Sequence, residues 1–410
     1  MTVSAENPYP SGFSSFWRLD PNVTFLNHGS FGACPGVILD KQTEYRNRLE
    51  SQPVRFFIRE MRDIFDNSRH TVARFANSRP EDLVFVQNAS SGVNTVLRSM
   101  KFNPGDEILH TSHIYGACRR LLEYVAGETG AILVEAGYDF PVASPEVIVQ
   151  AIVAKVTPRT RIALVDHISS ATALIHPVEA IVRELDKRGV DTIIDGAHAL
   201  GNIPLDLDGI GAAYYISNCH KWLCSPKSAA ILHVRHDRQD GIVPVVISHA
   251  GHEAMPFDER FFWPGTIDPT AALCVADAIE YMASLMPGGW PAIMKRNREL
   301  CLEARTMICK MLDISTPCPD EMIASMATIP LKGTGLADPF GYMGFHPVQE
   351  TLMQEYHIEI PVWNWLSPPS TLIRISVQLY NSLDQYNYLG FALMDSHKNM
   401  KNISRRRTTV

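Results

Sequence analysis

An aspartate and a lysine, 26 residues apart, follow two consecutive apolar segments of the chain. Asp195 follows Thr192-Ile193-Ile194, and Lys221 lies just beyond Tyr215-Ile216-Ser217. A carboxylate at one strand end can keep a pyridine nitrogen protonated, and an amine near the next strand end can form a Schiff base. The pair therefore predicts a pyridoxal 5′-phosphate enzyme that acts at the alpha or beta carbon of an amino acid.

The neighbours of these two residues support the same chemistry. Asn218 and His220 make the near side of the lysine loop polar, and Trp222 makes the far side apolar, so the amine can be partly desolvated. A solvated loop lysine and a helix-capping Asp195 are the structural alternatives. His198 is a candidate hydrogen-bond partner for the phenolic oxygen of the cofactor. The alternative is a buried histidine whose hydrogen bonds are all made within the protein core.

A phosphate group needs backbone amides and hydroxyls at the start of a helix. Ala89, Ser90 and Ser91 follow an apolar segment and precede a predicted helix over 93–100, so they are predicted to form a phosphate cup. An ordinary serine-rich helix cap is the alternative. The segment containing Gly265 and Thr266 is a second predicted phosphate donor.

The remaining candidates concern the cofactor ring and the substrate. His113 and Tyr115 follow a predicted strand; one is expected to stack on the ring and the other to face substrate, and packing is the alternative for both. Arg374 lies inside the apolar segment 372–376 and is the predicted bidentate ligand of the substrate carboxylate, with a buried ion pair as the alternative. Arg55 is a second predicted anion contact.

Composition and charge limit the class of protein. The net charge of -7 argues against a nucleic-acid or anionic-membrane partner, and no apolar segment reaches the roughly 20 residues of a membrane span. The first six residues lack signal-peptide features, so a cytoplasmic enzyme with a small-molecule substrate is expected. The eight cysteines are sparse and irregular; we expect no metal site, and Cys318 is the one loop candidate for a sulfur-accepting thiol.

The elements that must position these residues alternate between short apolar segments and amphipathic ones. Strands are predicted at 83–86, 107–110, 131–134, 161–165, 191–194, 213–216 and 229–234, with helices at 145–155 and 177–188. Such alternation predicts an α/β fold with a mostly parallel sheet, helices on both faces, and a ligand site beyond the carboxyl ends of the strands.

The chain divides into four predicted regions. Residues 1–60 are expected to be an N-terminal arm and active-site segment, and 61–268 a large cofactor-binding domain. Residues 269–396 are expected to be a long helical linker and a small C-terminal α/β domain, and 397–410 a disordered basic tail. A nucleic-acid arm is the less favoured interpretation of that tail.

Taken together, these segments resemble the class V aminotransferase family of fold type I pyridoxal phosphate enzymes. The resemblance is greatest to its isopenicillin N epimerase branch, which includes hercynylcysteine sulfoxide lyases and cysteine desulfhydrases. It is carried by Phe25-Leu26-Asn27-His28-Gly29-Ser30-Phe31-Gly32, Gln52-Pro53-Val54-Arg55-Phe56-Phe57, Asp166-His167-Ile168-Ser169-Ser170, Asp195-Gly196-Ala197-His198, the segment from Asn218 to Lys227, Trp263-Pro264-Gly265-Thr266-Ile267-Asp268 and Ile373-Arg374-Ile375-Ser376.

The resemblance implies a homodimer whose active sites lie at the subunit interface. It also implies that Asn27, His28 and Gly29 line the substrate pocket, that Ser169, Asn218 and His220 contact the cofactor, and that Thr266 reaches the cofactor phosphate of the other subunit. One departure is Ser228, where the family usually has a glycine after Pro-Lys.

The expected reaction begins with removal of the alpha proton by Lys221, which leaves a carbanion stabilised by the cofactor ring. Expulsion of a beta sulfur would give carbon–sulfur lysis, which we favour because it needs only a good leaving group. Epimerisation would need a second acid, for which Tyr115 or His113 is the candidate. The sequence also leaves open transamination, a cyclisation or decarboxylation step in a biosynthetic pathway, and a non-catalytic scaffold.

Overall fold

The computed structural model describes residues 8–331, 346–366 and 369–407. Its strands are β1 (Thr24–Phe25), β2 (Leu83–Val86), β3 (Glu107–Thr111), β4 (Ile132–Ala136), β5 (Thr160–Asp166), β6 (Asp191–Asp195), β7 (Tyr214–Asn218), β8 (Ala230–Val234), β9 (Met326–Leu331), β10 (Ile358–Glu359), β11 (Val362–Leu366) and β12 (Pro369–Ser376). Its α-helices are α1 (His28–Phe31), α2 (Gly36–Ser51), α3 (Pro53–Arg55), α4 (Met61–Phe75), α5 (Ala89–Ser99), α6 (Gly116–Thr129), α7 (Pro145–Val153), α8 (Val178–Asp186), α9 (Leu207–Ile210), α10 (Phe257–Arg260), α11 (Thr270–Leu273), α12 (Val275–Ser284), α13 (Gly289–Met311), α14 (Pro347–Tyr356) and α15 (Leu383–Arg407).

Seven strands in the order β2-β8-β7-β6-β5-β3-β4 form the large sheet. The five strands from β7 to β4 run parallel, whereas β8 is antiparallel to both of its neighbours. β3, β7 and β8 are buried along their whole length, as expected of strands with helices on both faces. The predicted α/β fold with a mostly parallel sheet is therefore confirmed.

The carboxyl edge of this sheet collects polar residues from successive strands. The chain runs from β3 to β4 on one side and from the neighbouring β5 to β6 on the other, and a crevice forms at such a switch point. β5 ends at Asp166, β6 at Asp195 and β7 at Asn218, and Tyr115 lies in the loop after β3. The topology thus places residues that are far apart in sequence at one edge.

A second layer comes from the N-terminal and C-terminal parts of the chain. β11, β12 and β9 form a three-stranded antiparallel sheet, and β1 pairs in parallel with β10. The amide of Ser376 on β12 also donates to the carbonyl of Leu26 at 3.1 Å. These bonds fix the segment after β1 against β12 and direct it towards the edge of the large sheet.

The C-terminal helix corrects one prediction. α15 continues to Arg407, so the backbone of 397–407 is helical rather than disordered, while residues 408–410 of the predicted tail lie outside the described residues. Residues 391–407 contain neither glycine nor proline, so no helix-breaking residue ends α15 earlier. Among the described residues, no helix combines the length and apolar character required to cross a lipid bilayer.

Candidate active site

A cavity of about 640 Å³ lies at the carboxyl edge of the large sheet. Its lining includes eight residues that the sequence assigned to the site, namely Ala89, Ser90, Tyr115, Asp195, His198, Asn218, His220 and Lys221. It also includes residues outside that assignment, among them Ser30, Phe31, Asp166, Ser170 and Lys227. Asp166 ends an apolar strand just as Asp195 does, so both lie at the carboxyl edge where the sequence predicts ligand binding.

The lysine amine of this cavity is held by a histidine of defined tautomer. Lys221 Nζ lies 3.2 Å from His198 Nε2, and the indole N–H of Trp222 lies 3.4 Å from His198 Nδ1. An indole nitrogen can only donate, so Nδ1 accepts and the imidazole proton resides on Nε2. His198 therefore donates to the lone pair of an uncharged Lys221.

Burial favours the same uncharged state. Desolvation, with a further contribution from the charge of Arg374, lowers the pKa of Lys221 to about 7, although Asp195 acts in the opposite direction. Desolvation also lowers the pKa of His198 well below its usual range. Near neutral pH a large fraction of Lys221 is therefore a free amine, which is the nucleophilic form.

Two carboxyl groups lie side by side at the floor of the cavity. Asp166 and Asp195 are register partners on β5 and β6. Asp195 accepts the amide of Ala197 at 3.1 Å and the thiol of Cys118 at 3.3 Å, whereas both carboxyl oxygens of Asp166 are buried without a hydrogen-bond partner among the described residues. Burial raises the pKa of Asp195 and raises that of Asp166 well above its usual range.

The start of α5 forms another wall. Asn88 caps the helix by accepting the amide of Ser91 at 2.9 Å, and the amide of Ala89 donates to the side chain of Asn218 at 2.9 Å. A Cβ atom on Gly92 would lie 2.7 Å from Ile216, so glycine lets the helix pack closely on β7. The positive end of the helix dipole thereby faces the cavity beside the lysine loop.

Arg374 lies behind the cavity wall and is almost fully buried. Its guanidinium donates to the carbonyl of Ser170 at 2.6 Å and to the hydroxyl of Ser30 at 3.3 Å, and both serines line the cavity. Among the described residues, Nε has no partner and no carboxylate pairs with this arginine. Desolvation lowers the pKa of Arg374 to about 10, so the group is a buried cation without a counter-ion, in contrast to the ion-pair alternative.

The residues 27–29, expected in the substrate pocket, do not line the cavity. Asn27 donates to Glu359 at 3.3 Å and accepts from Ser30 at 2.5 Å. His28 is fully buried beneath the lysine loop, and Gly29 packs against Arg374. The cavity wall of this segment is instead formed by Ser30 and Phe31.

Two other predicted contacts are also displaced from the cavity. His113 stacks on the ring of Tyr138 at 4.0 Å, and its ring nitrogens contact the hydroxyl of Thr172 and the carbonyl of Tyr138. Because that imidazole is buried and engaged on both sides, Tyr115 is the member of the pair that lines the cavity. Ser169 is buried in a hydrogen bond with Thr172.

The remaining predicted contacts lie on the surface or in a neighbouring groove. Arg55 pairs with Glu60 at 2.6 Å, outside the cavity. Ser91 and Gly265 line an apolar groove of about 330 Å³ that adjoins the cavity at Gln87, Ser90 and Ser228, whereas Thr266 lines neither space. Within one subunit Arg55 and Thr266 lie outside the lining of both spaces, and the roles predicted for these four residues stay predictions.

Ser228, which stands where the family usually has a glycine, has an unusual backbone conformation. Ser228 has a φ of 74°, the left-handed region that favours glycine. It lies in the turn between Lys221 and β8 and lines the cavity. The turn therefore keeps the conformation that glycine would adopt, at the steric cost of a side chain.

The chain is similar to known proteins along most of its length. The family described as Aminotransferase class-V matches residues 25–389. A probable L-cysteine desulfhydrase, chloroplastic, of Arabidopsis thaliana is 31% identical over 408 residues, covering 93% of this chain and 84% of the relative. An isopenicillin N epimerase of Amycolatopsis lactamdurans is 31% identical over 401 residues, covering 93% and 96%.

The fold has a solved counterpart as well. The apo structure of a cysteine desulfurase from Thermococcus onnurineus superposes with a TM-score of 0.78 at 20% identity, covering 94% of this chain and 97% of that one. The chain belongs to the class V aminotransferase family, whose members are pyridoxal 5′-phosphate enzymes of fold type I.

The residues present fit that cofactor. The cavity joins a desolvated amine, two buried carboxyls and a helix N-terminus, which match an aldehyde, a ring nitrogen and a phosphate. Among the described residues, the buried carboxyl of Asp166 interacts with the main chain of Tyr115 but has no side-chain hydrogen-bond partner, so it can receive a polar group in the cavity.

Proposed function

We propose that the protein is a lyase that breaks the carbon–sulfur bond of a cysteine-type amino acid by beta-elimination. The observation that carries the proposal is the uncharged amine of Lys221, which contacts His198 and shares one cavity with Asp195. The cation Arg374 lies behind the wall of this cavity, and no described carboxylate neutralises it. An amine acting as base and a cation without a counter-ion suit an amino-acid substrate with an alpha carboxylate.

Pyridoxal 5′-phosphate, when bound, supplies an aldehyde that condenses with amines and a ring that takes up the electron pair left by the alpha proton. Asp195 would hold the ring nitrogen and His198 the phenolic oxygen, while the start of α5 at Ala89 and Ser90 would hold the phosphate. Tyr115 would stack on the ring face.

Lys221 and Arg374 act on different groups of the substrate. The positive charge of Arg374, behind the cavity residues Ser30 and Ser170, attracts and orients the alpha carboxylate, and these two serines accept hydrogen bonds from its guanidinium. Lys221 Nζ accepts the alpha proton and can return it to the departing thiolate sulfur. The same amine thus serves as base and acid on one face of the substrate.

The cysteines favour elimination over transfer of sulfur to the protein. All eight are buried, and the segments outside the described residues contain none. Burial raises the pKa of Cys318, the loop candidate, to about 11, and Arg305 contacts it at 3.9 Å. A persulfide-forming nucleophile needs an accessible thiolate, so sulfur is expected to leave as a small thiol or sulfide.

Epimerisation is the second candidate, and Tyr115 is the observation that favours it. Its side chain lines the cavity, so a phenolic proton donor is available besides Lys221. His113, the other candidate acid, is buried behind Tyr138. Epimerisation therefore depends on this one phenol.

One experiment separates the two candidates. The holoenzyme is incubated in D₂O with cysteine or cysteine S-conjugates, and pyruvate, ammonia and alpha deuteration are measured together. Pyruvate and ammonia in equal amounts support the lyase. Deuterium in recovered, partly inverted substrate without pyruvate refutes it and supports the epimerase.

We also propose that the enzyme works as a homodimer. The apolar groove beside the cavity is bordered by the exposed side chains of Val245, Val246 and Ile267, and a second copy covering it would bring Thr266 towards the neighbouring phosphate site. Sedimentation of the holoenzyme tests this assembly; a monomer at micromolar concentration would contradict it.

A further inference from the structure

The imidazole of His28 contacts the main chain of the lysine loop instead of the cavity. Its Nε2 lies 3.0 Å from the carbonyl oxygen of Lys221. Its Nδ1 lies 2.8 Å from the hydroxyl of Tyr380 and 3.3 Å from the amide nitrogen of Ala33. Every polar atom of this buried ring therefore has a partner.

These partners determine the tautomer. A carbonyl oxygen can only accept, so Nε2 carries the proton, and the amide of Ala33 can only donate, so Nδ1 is bare. The side-chain nitrogen of Gln378 lies 3.4 Å from Nε2, a longer contact than the carbonyl makes. Desolvation lowers the pKa of His28 to about 3, so the ring is neutral near neutral pH.

The same segment touches the lysine loop at a second point. A Cβ atom on Gly32 would lie 2.1 Å from the carbonyl oxygen of His220 and 2.9 Å from the Cα of Lys221. The ring of His28 also packs on that of Trp222, with centroids 4.9 Å apart. The lysine loop thus rests directly on residues 28–32.

The segment touches the arginine as well. A Cβ atom on Gly29 would lie 3.3 Å from Arg374 Nη2, which already donates to Ser30 Oγ. Residues 28–32 are consequently in contact with both the amine-bearing loop and the buried guanidinium. The separation of the Lys221 amine and the Arg374 guanidinium depends on this short stretch as well as on the sheets.

We propose that His28 is a positioning residue whose Nε2–H holds the main-chain carbonyl of Lys221 and so sets the place of the lysine amine relative to Arg374. The inference rests on the proposed function, because it takes Lys221 as the reacting amine. It replaces the substrate-pocket role that the resemblance implied for His28.

Two near-isosteric variants test this assignment in the holoenzyme. His28→Gln keeps an N–H donor near the Nε2 position, whereas His28→Asn keeps an acceptor near Nδ1 but cannot reach the carbonyl of Lys221. We expect His28→Asn to lower kcat by about 10- to 100-fold with little change in KM, since small displacements of a catalytic group have effects of this size. The midpoint of the visible-band pH titration is expected to shift by about one unit. His28→Gln should stay within about threefold of wild type, because it restores the donor.

The controls separate the outcomes. His233→Leu removes another buried imidazole at the opposite edge of the sheet, and its spectral midpoint should equal that of wild type. A wild-type midpoint in folded His28→Asn, equal impairment of both His28 variants, or a rise in KM alone overturns the assignment. A wild-type enzyme without a borohydride-reducible band at Lys221 would instead refute the proposed function.

Discussion

The lowered pKa of Lys221 makes stability depend on pH in a defined direction. The amine titrates near pH 7 in the folded apoenzyme and near its ordinary value of 10.5 in the unfolded chain. Between these values the unfolded chain binds more protons, so the contribution of Lys221 to the free energy of unfolding rises with pH. The expected slope is roughly 1.4 kcal/mol per pH unit, or about 2 to 3 kcal/mol between pH 7 and pH 9.

The comparison that isolates this effect is between the apoenzyme and its Lys221→Met variant, which keeps the length of the side chain without an ionisable group. Urea unfolding of both at pH 7, 8 and 9, at one protein concentration, gives the difference in unfolding free energy. That difference should move in favour of wild type as the pH rises and level off towards pH 10.5. Two parallel curves would show that Lys221 is not a desolvated amine and would remove the physical basis of the proposed catalysis.

Three further changes have expected outcomes of their own. Asp195→Asn should lower kcat by about 100-fold or more, because a neutral amide cannot keep the ring nitrogen protonated. Its circular dichroism spectrum should match that of wild type. Undiminished turnover would contradict the role of this carboxylate. Arg374→Lys should raise KM by roughly 10- to 100-fold, since the single charge of an ammonium group replaces the planar guanidinium. For a substrate analogue that lacks the carboxylate, wild type and variant should have similar KM values. Ser228→Gly should raise the free energy of unfolding by up to about 1 kcal/mol, since it relieves the left-handed φ at that position; a loss of stability in urea titration would refute the strain argument.

The sequence predicted the large sheet well because its evidence is local. The apolar segments at 107–110, 191–194 and 213–216 correspond to β3, β6 and β7, and polar residues at strand ends in a parallel sheet must meet at one edge. Asp195, Asn218 and Lys221 came together for that reason alone. The tail was misjudged by the same kind of reasoning, since basic composition says little about whether a backbone is helical.

The sequence could not predict which distant segments pack around each strand end. His113 and Tyr115 are two residues apart, yet one is buried against Tyr138 and the other lines the cavity, a difference decided by a loop that arrives from β4. His28 likewise was expected in the substrate pocket only because the family resemblance implied it. Its real neighbours, Lys221 and Tyr380, are 193 and 352 positions away in the chain. Residues that take part in the chemistry can be recognised from their local sequence. Residues that position them can be recognised only from contacts between distant segments. The functional proposal therefore rests on the former, and the assignment of His28 required the fold.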